Sequence, residues 1–271
     1  MTFVLHHATV GDEQAPHVAL VLHGVFGSSS NFRSLVKSLV AERPEWRFVL
    51  VDLRLHGRSL AAPPPHTLAA CAEDLTQLTG ALSLNPAAVI GHSFGGKVAL
   101  TSAEEPPASL RQVWVLDSYP GAHTPSDDHE VIRVLRALEG VGRTFDTREG
   151  FVDALLERGL SVGIANWLGQ NLAREGDHYW FRLDLTAIGE LLGDYFRRDL
   201  WSVVEHPPSS LEVHLVVAER SRRLNDEARA RLGALADQRQ VHRYTLPDAG
   251  HWLHVDNPTG LVALLRDGLA R

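Results

Sequence analysis

Short apolar runs bounded by turn residues recur along the chain, and between them the apolar residues fall at helical spacing. The runs are 17–22, 47–52, 87–91, 112–117 and 212–218, with a weaker one at 240–246. Val18-Ala19-Leu20-Val21-Leu22 is apolar without alternation, as a strand buried on both faces requires. Helical spacing holds over 34–41, 66–82, 95–103, 225–236 and 259–269. Alternation of this kind predicts an α/β fold with a mostly parallel central sheet and helices on both faces.

The alternation breaks once. Between Tyr119 and Pro208 strand signals vanish, and 128–138, 148–158, 161–172 and 185–195 read as helices. Pro207-Pro208 closes this stretch and the run 212–218 resumes the sheet. The expectation is a core formed by 1–118 and 209–271, with 119–208 inserted as a helical cap over the carboxyl ends of the strands. A chain of 271 residues suffices for one such core.

The strongest chemical signal is Gly91-His92-Ser93-Phe94-Gly95-Gly96, a GxSxG pattern between a strand and a helix. Such a turn is crowded, and Gly91 and Gly95 leave room for it. It would lift the Ser93 hydroxyl to a helix amino terminus, where developing negative charge is favoured. A serine needs a base to become a nucleophile. Of 15 histidines, His251 stands in the right place, in Asp248-Ala249-Gly250-His251-Trp252 after the last strand and before the final helix.

The carboxylate that would orient His251 has two possible sources. After the run 212–218, where an acid is often found, the loop offers Glu219, Ser221 and Asp226, with serine where aspartate would be sought. Asp117, at the end of the run 112–117, is the preferred candidate, with Asp226 and Glu219 in reserve. Donors for an oxyanion are expected from the backbone of Phe94 and of Val25, with Phe26 as the alternative to Val25. In the same loop His23 would fix the backbone, and the cluster from Asp52 through Arg54 and His56 to Ser59 reads as structural.

Composition narrows the function classes. With 44% hydrophobic and 22% charged residues the chain is of the soluble globular type. A net charge of -7, with arginines gathered only in short clusters such as Arg220, Arg222 and Arg223, excludes a nucleic-acid partner. No run approaches the roughly 20 apolar residues that span a membrane. Residues 1–11 lack a secretion signal, and the single Cys71 permits no internal disulfide, so a cytoplasmic setting is expected. His6-His7 and Asp127-Asp128-His129 lack partners at metal spacing and read as solvated surface; no metal is expected.

These motifs together resemble the α/β-hydrolase superfamily, and within it a small bacterial-type carboxylesterase branch. The resemblance rests on Leu22-His23-Gly24-Val25-Phe26-Gly27-Ser28, Asp52-Leu53-Arg54, His56-Gly57, the Ser93 motif continued through Lys97-Val98-Ala99, Leu116-Asp117, and Asn166-Trp167-Leu168-Gly169-Gln170-Asn171-Leu172. It implies an α/β-hydrolase fold in which the acid follows the strand after the nucleophile's strand, which favours Asp117. Tyr119 stands where the branch often has a smaller residue, implying a narrower pocket near the acid. The implied activity is hydrolysis of short- to medium-chain acyl esters, or thioesters, without a cofactor, by a monomer or small homo-oligomer.

Substrate contacts are expected from Phe26, His92, Trp167, Leu168 and Trp252, with Leu172, Trp180, Phe181 and Phe196 as further cap candidates. The same fold also supports carbon–carbon bond hydrolysis, lyase chemistry and perhydrolysis, and a ligand receptor without catalysis is the reading from a different class.

Overall fold

The computed structural model describes residues 3–127, 129–235 and 239–269. Its strands, in chain order, are β1 (His7–Val10), β2 (His17–Leu22), β3 (Trp46–Val51), β4 (Ala88–His92), β5 (Gln112–Leu116), β6 (Thr144–Phe145), β7 (Leu172–Glu175), β8 (His178–Phe181), β9 (Glu212–Ala218) and β10 (Val241–Leu246). The helices are α1 (Arg33–Glu42), α2 (Leu68–Ala81), α3 (Phe94–Ser102), α4 (Glu130–Glu139), α5 (Arg148–Glu157), α6 (Val162–Leu168), α7 (Leu185–Arg197), α8 (Trp201–Glu205), α9 (Asp226–Gly233), α10 (Leu253–Asp256) and α11 (Pro258–Gly268). Asp128 and Ala236, which the expected helices 128–138 and 225–236 include, lie outside the described residues.

A seven-stranded sheet runs in the order β1-β3-β2-β4-β5-β9-β10. Its pairs are parallel except β1, which lies antiparallel on β3. Alternation along each strand sends side chains to two apolar layers. Leu20, Leu22, Val89, Val113 and Leu215 face one layer, which α2 and α3 cover with Leu75, Leu78 and Val98. Val21, Phe48, Ile90, Trp114 and Val216 face the other, which α1 and α11 cover with Leu35, Leu39, Leu261 and Leu265. Side chains of Thr67, Ser161, Asp184 and Asn257 accept backbone N–H groups at the starts of α2, α6, α7 and α11.

The helical cap is inserted between β5 and β9, and two expectations about it change. It holds a small sheet of order β6-β8-β7 where no strand was expected. These strands are two to four residues long and partly exposed, too short for alternation to register in sequence. The stretch 161–172 is also not one helix: α6 ends at Leu168, a 3-10 turn spans Gly169–Asn171, and β7 follows. Asn171 explains the break, because its side-chain amide donates both to Leu168 O and, 2.9 Å away, to Phe26 O in the loop after β2. The edge strand β1 was likewise unforeseen, its residues being polar or half-exposed.

Five further bonds tie cap to core. Arg182 Nη1 donates to Gly57 O at 3.1 Å, in the loop after β3, and Leu68 N–H donates to Asp194 Oδ2 at 2.8 Å. Lys97, fully buried on α3, donates from Nζ to the carbonyls of Gly121, Tyr195 and Arg198, each at 2.7 Å. The ammonium thus satisfies three main-chain acceptors from both ends of the cap. Lys97→Met, similar in length, would leave those carbonyls without their donor, and we expect a loss of about 3 kcal/mol or more in urea unfolding. A loss below about 1 kcal/mol would mean that water replaces the ammonium.

Candidate active site

Ser93 sits between β4 and α3 with φ 53° and ψ −116°. The strain is held by contacts on both sides. A Cβ on Gly91 would stand 2.0 Å from Gly95 O, and one on Gly95 would stand 2.7 Å from the carbonyls of Leu22 and His23. Only glycine lets the helix start cross so close to the strand ends. Ser93 N–H donates to Leu116 O at 3.0 Å, fixing the turn against β5.

The next strand places the carboxylate. Asp117 follows β5, also at positive φ (44°), with its N–H on Val216 O. It is 1% exposed. Its Oδ1 accepts Ala218 N–H at 3.2 Å, and its Oδ2 accepts the Ser221 hydroxyl at 2.5 Å. Oδ2 also lies 2.8 Å from His251 Nδ1, and His251 Nε2 lies 3.1 Å from Ser93 Oγ. With Nδ1–H donated to Asp117, the Nε2 lone pair is left to accept the serine proton. The structure therefore brings Ser93, His251 and Asp117 into one hydrogen-bonded line. Asp226 lies exposed in the first turn of α9, and Glu219 accepts Asp248 N–H at 3.0 Å. Ser221, where an aspartate was sought, is a donor to Asp117.

The loop after β2 runs beside this line, since a Cβ on Gly24 would lie 3.4 Å from Ser93 Cβ. Phe94 opens α3, so its N–H is one of the four at a helix start that have no acceptor within the helix. Val25 and Phe94 both border the smaller cavity over Ser93 and Asp117, with Tyr119, His129 and Arg223. His23 holds the loop: its Nδ1 lies 2.7 Å from Gly24 O and its Nε2 accepts Leu53 N–H at 3.0 Å. The segment after β3 is structural as expected, with Asp52 accepting the N–H groups of Ser29 and Arg58 and Arg54 bidentate on Asp74.

The larger cleft over Ser93 and His251 is mostly apolar, walled by Phe26, Phe32, Val131, Ile164, Trp167 and Trp252. At its wall the Trp167 ring of the cap meets Trp252 of the core edge-on, with centroids 4.5 Å apart. His92 also borders the cleft, and its Nε2 lies 2.7 Å from His251 O, so that ring supports the histidine loop. Leu168 corrects the expectation: it is fully buried in the cap's apolar core, as are Leu172, Phe181 and Phe196 to within a few percent. Trp180 lies on β8 under the Arg143 guanidinium. Two pairings were also misjudged as solvated surface. His6 Nδ1 sits 2.9 Å from Asp52, and His129 is partly buried beside Arg223.

A family model described as the alpha/beta hydrolase family matches residues 19–264. The chain belongs to that family. Among curated relatives of this hydrolase, the sn-1-specific diacylglycerol lipase ABHD11 of Danio rerio is 31% identical over 248 residues, 89% of this chain and 75% of that protein. The protein of the same name from Mus musculus is 29% identical over 265 residues, 96% of this chain and 83% of its own length. Among solved structures, a marine microorganism esterase superposes with a TM-score of 0.84 at 23% identity, covering 99% of this hydrolase and all of that chain, which is a likeness of fold.

Sequence reasoning missed Phe32, Val131, Ile164, Arg223 and His254 as cleft residues of the hydrolase. They come from five separate segments, and no spacing links them. His254 packs against Phe32 with ring centres 4.4 Å apart, and burial pushes its pKa down to about 4; burial likewise pushes His56, in the loop after β3, to about 3. Both rings are neutral in the fold, whereas in the unfolded chain they take up protons near pH 6.5. Below that pH the unfolded state binds more protons, so stability falls as pH drops from about 6.5 to about 4. We expect the thermal midpoint to fall across that window, and His254→Phe to fall less between pH 7.5 and 5 than the wild type; an equal fall in both would remove His254 from the cause.

Proposed function

We propose that this hydrolase cleaves carboxylic esters of short to medium acyl chains, with Ser93 as nucleophile, His251 as general base and Asp117 as the acid that orients the ring. The observation that carries the reading is the line of bonds from Asp117 through His251 to Ser93 at the floor of an apolar cleft. His251 Nε2 takes the Ser93 proton as Oγ attacks the acyl carbon. The oxyanion then lies against the N–H groups of Val25 and Phe94. The imidazolium, held by Asp117, returns its proton to the leaving alcohol, and water activated by the same ring releases the acid. The proposed mechanism needs no cofactor.

Placement of the acid after β5, with a serine hydroxyl where the later loop offers its side chain, supports assignment to the carboxylesterase branch that the sequence resembles. The lining supports a substrate whose acyl chain packs among Phe26, Trp167 and Trp252, while the alcohol faces Tyr119, His129 and Arg223. Similarity to proteins named as diacylglycerol lipases makes a lipid ester a substrate worth testing. A cytoplasmic setting fits a chain whose single thiol, Cys71, is buried and has its pKa raised by that burial. Among the described residues no helix is long and apolar enough to cross a membrane.

Fluorophosphonate labelling and turnover of a panel of p-nitrophenyl esters and diacylglycerol test the assignment. Ser93→Ala should abolish labelling and lower kcat by about 10³-fold or more, and Asp117→Asn should lower kcat by about 10²–10⁴-fold. Asp226→Asn should stay within about twofold of wild type. A folded wild type that neither labels nor turns over any ester of the panel would sink the proposal.

A further inference from the structure

At the other end of the sheet a second polar cluster stands apart from the cleft. Glu212 and His214 are the first and third residues of β9, so their side chains share one face. His242, the second residue of β10, is the cross-strand partner of His214, and its ring stacks on the His214 ring at 4.5 Å. One ligand atom from each of Glu212, His214 and His242 can be chosen so that all lie within 4.8 Å of one another. Glu212 Oε2 is 3.3 Å from His214 Nε2 and 4.0 Å from His242 Nε2.

The hydrogen bonding around this cluster sets more acceptors than hydrogens around the Gln112 amide. The Gln112 amide nitrogen has two hydrogens but stands within reach of three acceptors, Gly268 O at 2.9 Å, Glu212 Oε2 at 3.0 Å and His214 Nε2 at 3.2 Å. His214 Nδ1 lies 3.1 Å from the Tyr244 hydroxyl, and in the tautomer that donates Nδ1–H to that hydroxyl the Nε2 lone pair faces Glu212. A proton on His214 Nε2 would answer that pair alone. His242 Nε2 is buried, has no hydrogen-bond partner among the described residues, and still faces the carboxylate.

We propose that Glu212, His214 and His242 bind one divalent cation of the zinc type, fastening the edge strand β10 to β9. Two imidazole nitrogens and one carboxylate oxygen suit zinc and its late first-row neighbours and disfavour magnesium or calcium, which take oxygen ligands. Tetrahedral bonds of about 2.0–2.2 Å put ligand atoms about 3.3–3.6 Å apart. The Glu212–His214 pair already has that separation, and the partly exposed His242 can turn to close the rest. His214 is fixed, packed face to face with Trp114 at 4.1 Å. Water can take the fourth position, because Glu212 is 47% exposed.

The test is calorimetric titration of the chelator-treated full chain with Zn²⁺, and separately with Mg²⁺, for wild type, Glu212→Gln and His242→Asn. Both substitutions fall at partly exposed positions, and apo melting curves report whether each variant folds. We expect one Zn²⁺ site in wild type, weakened about 100-fold or more in both variants, with Zn²⁺ raising the melting temperature of wild type alone and Co²⁺ giving a tetrahedral absorption spectrum. No Zn²⁺ uptake by wild type would mean that the cluster is a protonated hydrogen-bond network, and would overturn the proposal. Uptake surviving in both folded variants would place the metal at other histidines, and Mg²⁺ bound as well as Zn²⁺ would contradict the donor set; either result also overturns it.

Discussion

Asp117 carries a carboxylate into the interior at the carboxyl end of β5, and its surroundings are arranged to receive that charge. An ionised group removed from water costs several kcal/mol unless hydrogen bonds replace its hydration. Here Ala218 N–H, the Ser221 hydroxyl and His251 Nδ1 supply them. Two of the three come from β9 and the loop that follows it, so the pairing of β5 with β9 solvates the acid as well as extending the sheet. The third fixes the His251 ring in the tautomer that turns a lone pair to Ser93.

The same register sets the height of the serine. β4 and β5 pair from Ala88↔Gln112 to His92↔Leu116, so the chain leaves both strands at one level, and Ser93 N–H closes on Leu116 O. Crowding at Gly91 and Gly95 then decides that the helix must start at once, because any side chain there would collide with main chain. Backbone strain at Ser93 and at Asp117 is thus held by the most buried part of the sheet, where distortion is hardest to relax. The cap adds little to this geometry. Its contribution is the apolar wall, and Lys97, Asn171 and Arg182 hold that wall in place through main-chain carbonyls of both parts.

How far the sequence reveals this depends on the range of each constraint. Buried parallel strands announce themselves as unbroken aliphatic runs, and the serine turn is legible because strand, glycines and helix are contiguous. His251 and Asp117 could be placed because each follows a strand whose neighbours the α/β pattern implies. The strands of the cap could not, since pairing of pieces as short as Thr144–Phe145 is decided by tertiary contact alone. Trp167 and Leu168 show the same limit on a helix. Adjacent residues point about 100° apart, and composition does not say which one faces the cleft. Glu212 and His214 have strand spacing in plain view, yet the third member of their cluster depends on the register of β10, which no local pattern encodes.

Three imidazoles meet at the cleft, and burial sorts them. His92 lies 4.8 Å from His251 and 5.3 Å from His254, ring centre to ring centre. Burial holds the His92 pKa well below its ordinary value and that of His254 at about 4, so both are neutral near pH 7. For a base at His251 this matters: a second positive charge about 5 Å away would oppose the imidazolium by about 3 kcal/mol at an effective dielectric constant near 20. Of the three rings only His251 is hydrogen-bonded to a carboxylate. His92, kept from charging, can instead hold its Nε2 proton on His251 O. The burial that makes it a poor proton acceptor also makes it a fixed strut for the ring beside it, and the roles of neighbouring histidines separate without any difference in residue type.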